Sequence, residues 1–521
     1  MFRLGSALLL LGSVMSTLAC QRGAAPAGTP RVTLAPDAKL LPMRARRLSN
    51  WEVERSVAAF TGTEVAFERE LPPDVRQEGY TRNAAQDVSS TWATRYSALV
   101  GSLVPDAARA LEPSLPCRDF SAPTCREQAA QSLGERAFRR PLEAEEVSEL
   151  AALLESAGSL GTLLRRLLES ASFLYVTELG PRLTNYELAS QLSYLLQGGP
   201  PDAELFAAAR RGELARADQR AYHARRLLAE SDTRFQFRRF ALEWLEVDGL
   251  LGTAKNTEKY PSYEALKPFM LAETEGYVDE VFVHGGASVH ALLGSGFASV
   301  GPEMARFYGL ATYGPRASLR GTGRLGVLQQ ASFLAAHAHE DVTSPVKRGD
   351  FVMRKLLCER LKRPAEIGLE VVMPPPSPKL TNRERLSQHV SDPGCASCHD
   401  TLDSIGFTFE SFDASGSAQR VDHGKPVNAH AKVRLGQGAT ETHEVGSSAA
   451  LTQELLTSPV ISECFARHAF RYFSAQADEG VEAAFLSLRS QLPEEQRDNL
   501  FDVLLAYIVS DLFVRREERS P

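Results

Sequence analysis

The residues whose types and spacing could do chemistry are Cys395, Cys398 and His399, in the run Gly-Cys-Ala-Ser-Cys-His-Asp at 394–400. Two thiols at that separation can add across the two vinyl groups of one haem, and the adjoining imidazole then lies under the iron as proximal ligand. With seven cysteines and eleven histidines in 521 residues, composition alone would yield C-x-x-C-H roughly 0.002 times per chain. Chance is a poor explanation. Zinc is the alternative, but it needs a fourth ligand, and the sequence offers no second C-x-x-C. A plain disulfide between Cys395 and Cys398 is the third reading. One covalent haem c is the expectation.

The other side of the iron is less specified. The last methionine is Met373, ahead of the motif, whereas eight histidines fall between 337 and 468. His389 shares a helix face with Leu386 just before the motif and is the first candidate for distal ligand. His337, His339, His423 and Met373 compete with it, and an open iron position is also allowed.

Compartment bears on this chemistry. Met1-Phe2-Arg3, the apolar run Ala7–Val14 and Ser16-Thr17-Leu18-Ala19-Cys20 read as a signal peptide over 1–19, too short to span a bilayer. Cys20 is then the lipidation site of a lipoprotein, and Gln21 after it favours the outer membrane. Ordinary secretion to the periplasm or beyond is the alternative. A net charge of −7 argues against nucleic acid as a partner. Export also favours disulfides among the four cysteines left over, Cys117, Cys125, Cys358 and Cys464. Cys117 and Cys125 flank a local turn. A Cys358–Cys464 bridge would enclose the C-x-x-C-H run in a loop of order 100 residues, worth up to roughly 4–5 kcal/mol by loss of chain entropy.

The elements that must position these residues read as mainly α-helical and multidomain. Residues 20–42, rich in Ala, Gly, Pro and Thr, read as a flexible tether. Helical segments follow over 43–110, 111–178 (with Cys117 and Cys125), 179–318, 319–440 (with the C-x-x-C-H run) and 441–521. Three starts share one template: Arg47-Leu48-Ser49-Asn50-Trp51-Glu52, Arg182-Leu183-Thr184-Asn185-Tyr186-Glu187 and Lys379-Leu380-Thr381-Asn382-Arg383-Glu384. Each predicts a capping box, and the first two add a hydrophobic staple, Leu48 with Val53 and Leu183 with Leu188. Leu188, Leu192, Leu195 and Leu196 form a helical stripe that stops at Gly198-Gly199-Pro200-Pro201. Only about 425–447 reads as strand and turn, around Val433 and Leu435.

In this order the motifs resemble those of planctomycete- and myxobacterial-type multidomain surface proteins, whose uncharacterised helical domains accompany a cytochrome c-like domain. The resemblance covers nearly the whole mature chain. It rests on 46–52, on Arg136–Pro141 with Ser172–Tyr175, on Leu188–Leu196 with Pro200-Pro201-Asp202, and on Thr343–Gly349. The C-x-x-C-H run, Gly406-Phe407 and Glu410–Asp413 complete it. Where that family carries Asp-Pro after the motif, this chain has Asp403-Ser404. The resemblance implies a haem-bearing module and names no substrate. Glu410 and Asp413 read as solvated or capping residues, with a propionate or proton role as the alternative. Lys347 and Arg348 read as an exposed helix face, with pairing to propionates as the alternative. Glu273 and Glu275 point to different helix faces and form no catalytic pair.

Together these readings predict an exported, lipid-anchored c-type haem protein that transfers electrons at the cell envelope to an unknown redox partner. Two alternatives stand beside it. One is a surface-binding or scaffold protein, polysaccharide-associated, with a structural C-x-x-C-H. The other is a haem enzyme with an open iron position.

Overall fold

The computed structural model describes residues 29–157, 159–361, 366, 379–389, 393–436 and 440–518, without the side chains at 157, 388, 389, 393–398 and 400. Cys20, Met373 and the side chains of His389, Cys395 and Cys398 therefore lie outside the described residues. The chain is mainly helical, as its periodicity predicts. No helix among the described residues is long and apolar enough to cross a membrane.

The three shared templates begin helices by the expected chemistry. Ser49 accepts from the Glu52 amide while the Glu52 carboxylate accepts from the Ser49 amide at 2.9 Å, opening the Asn50–Thr61 helix. Thr184 and Glu187 do the same for Asn185–Gln197, and Thr381 and Glu384 for Asn382–His389. The staple residues Leu48, Val53, Leu183 and Leu188 are all buried. Helix Asn185–Gln197 is buried on every side from Leu188 onward and ends at Gly198, whose φ of 65° suits glycine.

Buried apolar side chains gather into two large clusters. One runs from Leu48 to Val176 and includes Tyr194. The other joins the helices from Leu183 to Val514 and also takes in Leu40, Leu41 and Tyr80. A smaller cluster around Met270 and Met304 lies beside the second.

Two expectations need correction. Residues 29–42 are not a free tether: Leu40 and Leu41 are buried, Thr33 bonds Gln491 through both its amide and its carbonyl, and Leu41–Pro42 pairs in parallel with Arg516–Glu517. Strand is also not confined to 425–447. Sheets of two strands pair Arg44–Arg47 with Tyr175–Glu178 and Phe297–Val300 with Gly314–Ser318, besides the expected Ala431–Val433 with His443–Val445. These ladders are two to five residues long. They form where docked helices bring chain together, so no alternating pattern announces them.

Buried ion networks tie the N-terminal strand to the C-terminal helices. Glu52 is held by Arg46 at 2.6 Å and by Arg82 at 2.9 Å, and Glu178 by Arg44 and Arg516, all buried. Burial alone would raise both carboxyls; the flanking guanidinium groups outweigh it and hold each down at about 2. A carboxyl lowered by folding contributes stability that is complete above its unfolded value, about 4.3, and is lost as pH falls toward 2. Glu52→Gln and Glu178→Gln should each cost about 3–5 kcal/mol at pH 7, because each strands buried arginines. Denaturant unfolding across pH should find that gap shrinking steadily between pH 5 and pH 2; a gap independent of pH would contradict the assignment.

Candidate functional site

Helix Pro393–Phe407 carries the whole C-x-x-C-H run and continues through Asp403-Ser404 without a break. Serine where the resembling family has proline leaves the helical hydrogen bonding of that turn intact. The helix crosses Pro345–Phe351, which Ser344 caps by accepting from the Lys347 amide at 3.3 Å. At the crossing the two backbones touch. A Cβ at Gly349 would lie 2.1 Å from the Leu402 carbonyl oxygen, and one at Gly406 would lie 2.0 Å from that of Pro345. These glycines fall inside the motifs that carry the family resemblance, and close approach is the physical reason for them.

His399 sits on this helix with Nδ1 3.0 Å from Oδ1 of Asp403, one turn on. Asp403 is buried, and its Oδ2 has no hydrogen-bond partner among the described residues. The hydrogen bond to Asp403 raises the imidazole above its usual range, and burial opposes this. A histidine oriented through Nδ1 by a buried carboxylate presents Nε2 as its ligand atom, the arrangement common around metal-bound imidazole. The donor set thus fits a haem iron at His399. The i,i+4 spacing of His399 and Asp403 is present in the sequence, where Asp403 reads only as half of an altered Asp-Pro.

Behind the helix lies a buried polar chain. Arg348 is fully buried and donates to the carbonyls of Leu334, Phe409, Phe412 and Asp413 at 3.0–3.2 Å. Burial pushes its guanidinium down to about 10. Glu410 lies 3.9 Å from it and accepts from Thr343 Oγ1 at 2.9 Å; Asn382 Nδ2 donates in turn to that Oγ1 at 2.7 Å. Burial raises Glu410 to about 6 against the pull of Arg348. Arg348 is therefore neither an exposed residue nor one that reaches solvent: it is fully buried with its Nη donors on four carbonyls, and its Nε has no hydrogen-bond partner among the described residues; Lys347 beside it is exposed, as expected. Glu410 is not solvated. Asp413 has the capping role, accepting from the amides of Ser415 and Ser417. Thr343 and Asn382 as links in this chain were not anticipated.

Of the competing histidines, His337 is a satisfied core residue. It lies between Phe333 and Phe351, has Nε2 2.9 Å from the Leu245 carbonyl, and is pushed by burial down to about 4. His339 and His423 are exposed, the latter beside Asp422 in a hairpin turn. Glu273 and Glu275 do lie on different faces: Glu273 is buried against Tyr308 at 2.6 Å, Glu275 is part-exposed. Both expected bridges are present, Cys117–Cys125 and Cys358–Cys464, with Cα separations of 5.7 and 5.5 Å.

Fold and site define a mainly helical protein with a C-x-x-C-H helix clamped to a glycine-bearing partner helix. Three family models match the chain. PSD3, described as a protein of unknown function (DUF1587), matches residues 46–109; PSD4 (DUF1592) matches 183–310; PSCyt3 (DUF1588) matches 324–422. All three are planctomycete-type domains of unknown function. No curated protein and no solved structure matches the chain.

Gly349→Ala and Gly406→Ala should each destabilise the protein by at least about 2 kcal/mol, since backbone on both sides prevents relief. Lys347→Ala, on the exposed face of the same helix, should stay within about 0.5 kcal/mol. Denaturant midpoints of the three variants check this; near-equal midpoints would remove the clamp.

Proposed function

We propose that this chain is a c-type haem protein of the cell envelope that transfers single electrons to a redox partner. Cys395 and Cys398 would hold the haem covalently and His399 would be its proximal ligand. The observation that carries the reading is the Asp403–His399 hydrogen bond, which orients an imidazole immediately after two correctly spaced thiols. The match to PSCyt3 over the segment containing the motif supports it, since that name hints at a cytochrome. A bound haem supplies one-electron redox chemistry. The chain's own contribution is to fix the imidazole tautomer, through Asp403, and to hold the helix rigid against Pro345–Phe351. His389, at the end of the helix preceding the motif, is the proposed distal ligand. Anchorage through a lipidated Cys20 would keep the module at the outer membrane.

A carboxylate partner makes the proximal imidazole a stronger donor than a carbonyl partner would. That favours the ferric state, and it is the one observation that keeps the haem-enzyme reading alongside electron transfer. Carbon monoxide binding by reduced protein separates the two: a six-coordinate carrier resists it, an open iron takes it.

Protein made with a cytochrome c maturation system should keep a haem stain through denaturing electrophoresis and lose it in Cys395→Ser/Cys398→Ser. One equivalent of zinc without haem would overturn the proposal. In haem-loaded Asp403→Asn the reduction potential should rise, because a neutral amide withdraws less proton density from Nδ1; an unchanged potential would deny Asp403 its role. Parent protein should fractionate with outer membrane and Cys20→Ser should not.

A further inference from the structure

The Cys358–Cys464 bridge has a histidine beside it. Ligand atoms of Cys358, Cys464 and His468 all lie within 4.8 Å of one another, with Cys464 and His468 buried and Cys358 at the surface. Cys464 and His468 are one turn apart on helix Pro459–Ser474. Cys358 follows the π-helical turn Val352–Leu356 in a left-handed conformation, φ 53°. Cys464, His468 and the Cys358 end are thus brought together by the packing of two separate helices, not by the bridge alone.

We propose that opening this bridge creates a Cys2His site for a thiophilic divalent ion of the zinc class, made of Cys358, Cys464 and His468. Two sulfurs and one imidazole nitrogen are a zinc donor set, and a solvent molecule on the Cys358 side completes four-coordination. The imidazole is already prepared. Nε2 lies 3.2 Å from the Arg354 carbonyl, a contact that requires the proton on Nε2, and Nδ1 lies 3.0 Å from the Tyr80 hydroxyl. Both ring nitrogens thus have a partner, and the one that takes the metal exchanges its partner for the ion while the other holds the ring in place.

Charge is consistent with the site. Lys355 is fully buried, with Nζ 4.7 Å from the Tyr80 ring centre and 3.8 Å from Glu246, and that ammonium has no hydrogen-bond partner among the described residues. Of the other cations nearby, Arg354 is paired with Glu246 at 2.7 Å and Arg471 with Glu482 at 2.6 Å. A divalent ion with two thiolates is neutral as a unit, so binding adds no net charge to the pocket. The reaction balances. A dithiol gives two electrons and two protons to the Cys358–Cys464 bond and becomes a disulfide itself; the metal then displaces both thiol protons to solvent and forms two metal–sulfur bonds.

Zinc uptake by full-length protein tests the proposal. Protein is treated with a phosphine reductant, desalted without oxygen, loaded with zinc and analysed for bound metal, with a chromophoric chelator as competitor. Reduced parent should hold one more equivalent than oxidised parent. His468→Gln should bind that equivalent at least tenfold more weakly, and Cys358→Ser/Cys464→Ser should not bind it. The histidine variant keeps the bridge and serves even where the double variant fails to fold. Equal zinc in oxidised and reduced parent, or undiminished affinity in His468→Gln, would overturn the site.

Discussion

The C-terminal end of helix Pro459–Ser474 is where the protein is locked. Its last carbonyls cannot be satisfied within the helix, and they are buried. Arg44 reaches the carbonyls of Ser474 and Ala475 at 2.8 and 3.0 Å, and Arg82 reaches those of Tyr472 and Phe473. Each arginine comes from the N-terminal region, far away in sequence, and each buried guanidinium needs an anion. Glu178 answers Arg44 and Glu52 answers Arg82. Glu52 is also the capping-box residue of its own helix. One side chain thus starts a helix, neutralises an arginine and, through it, finishes another helix whose end lies 390 residues beyond that arginine. Helix capping by cations is ordinarily a surface effect of a few tenths of a kcal/mol; buried and anion-backed, it becomes a condition of assembly.

The same helix carries Cys464 and His468, so the lock also sets where those two side chains sit. The bridge from Cys464 to Cys358 closes a loop with a sequence separation of 106 that contains the C-x-x-C-H helix. A second device, from the helix just before that loop, grips the motif helix. Arg348 gathers three carbonyls from the turn after the motif helix and a fourth from Leu334, and the backbone contact at Gly349 and Gly406 holds the helix to it. They fix the helix, and the helix fixes the histidine with its carboxylate.

Much of this was legible before any coordinates. Capping boxes name both the residue and the bond it makes, which is why Ser49, Thr184 and Thr381 were placed correctly. The four spare cysteines paired as spacing suggested. What the sequence concealed were interactions whose partners lie far apart in the chain. Arg348 looked like an exposed first-turn residue because nothing local says that four carbonyls from 334 and 409–413 converge on it. Leu40 and Leu41 looked like tether because a two-residue parallel ladder with 516–517 has no pattern to read. Glu410 looked solvated because its partners, Thr343 and Arg348, precede it by more than sixty residues.

Asp403 shows a different limit. Its relation to His399 is a single helical turn, the shortest-range contact in the site, and it still escaped notice. The reason is that His-x-x-x-Asp has meaning only if the residues between are helical. In the resembling family the motif is followed by proline, which would break the turn's hydrogen bonding just beyond Asp403. With Ser404 the helix runs on to Phe407, and the carboxylate is carried by regular helix rather than by a kinked end. Regular helix holds the i,i+4 pair in register through the hydrogen bonds on both sides of Asp403. A kinked end would let the carboxylate move relative to the imidazole. Ser404, which keeps its backbone amide available to the helix, is compatible with that register.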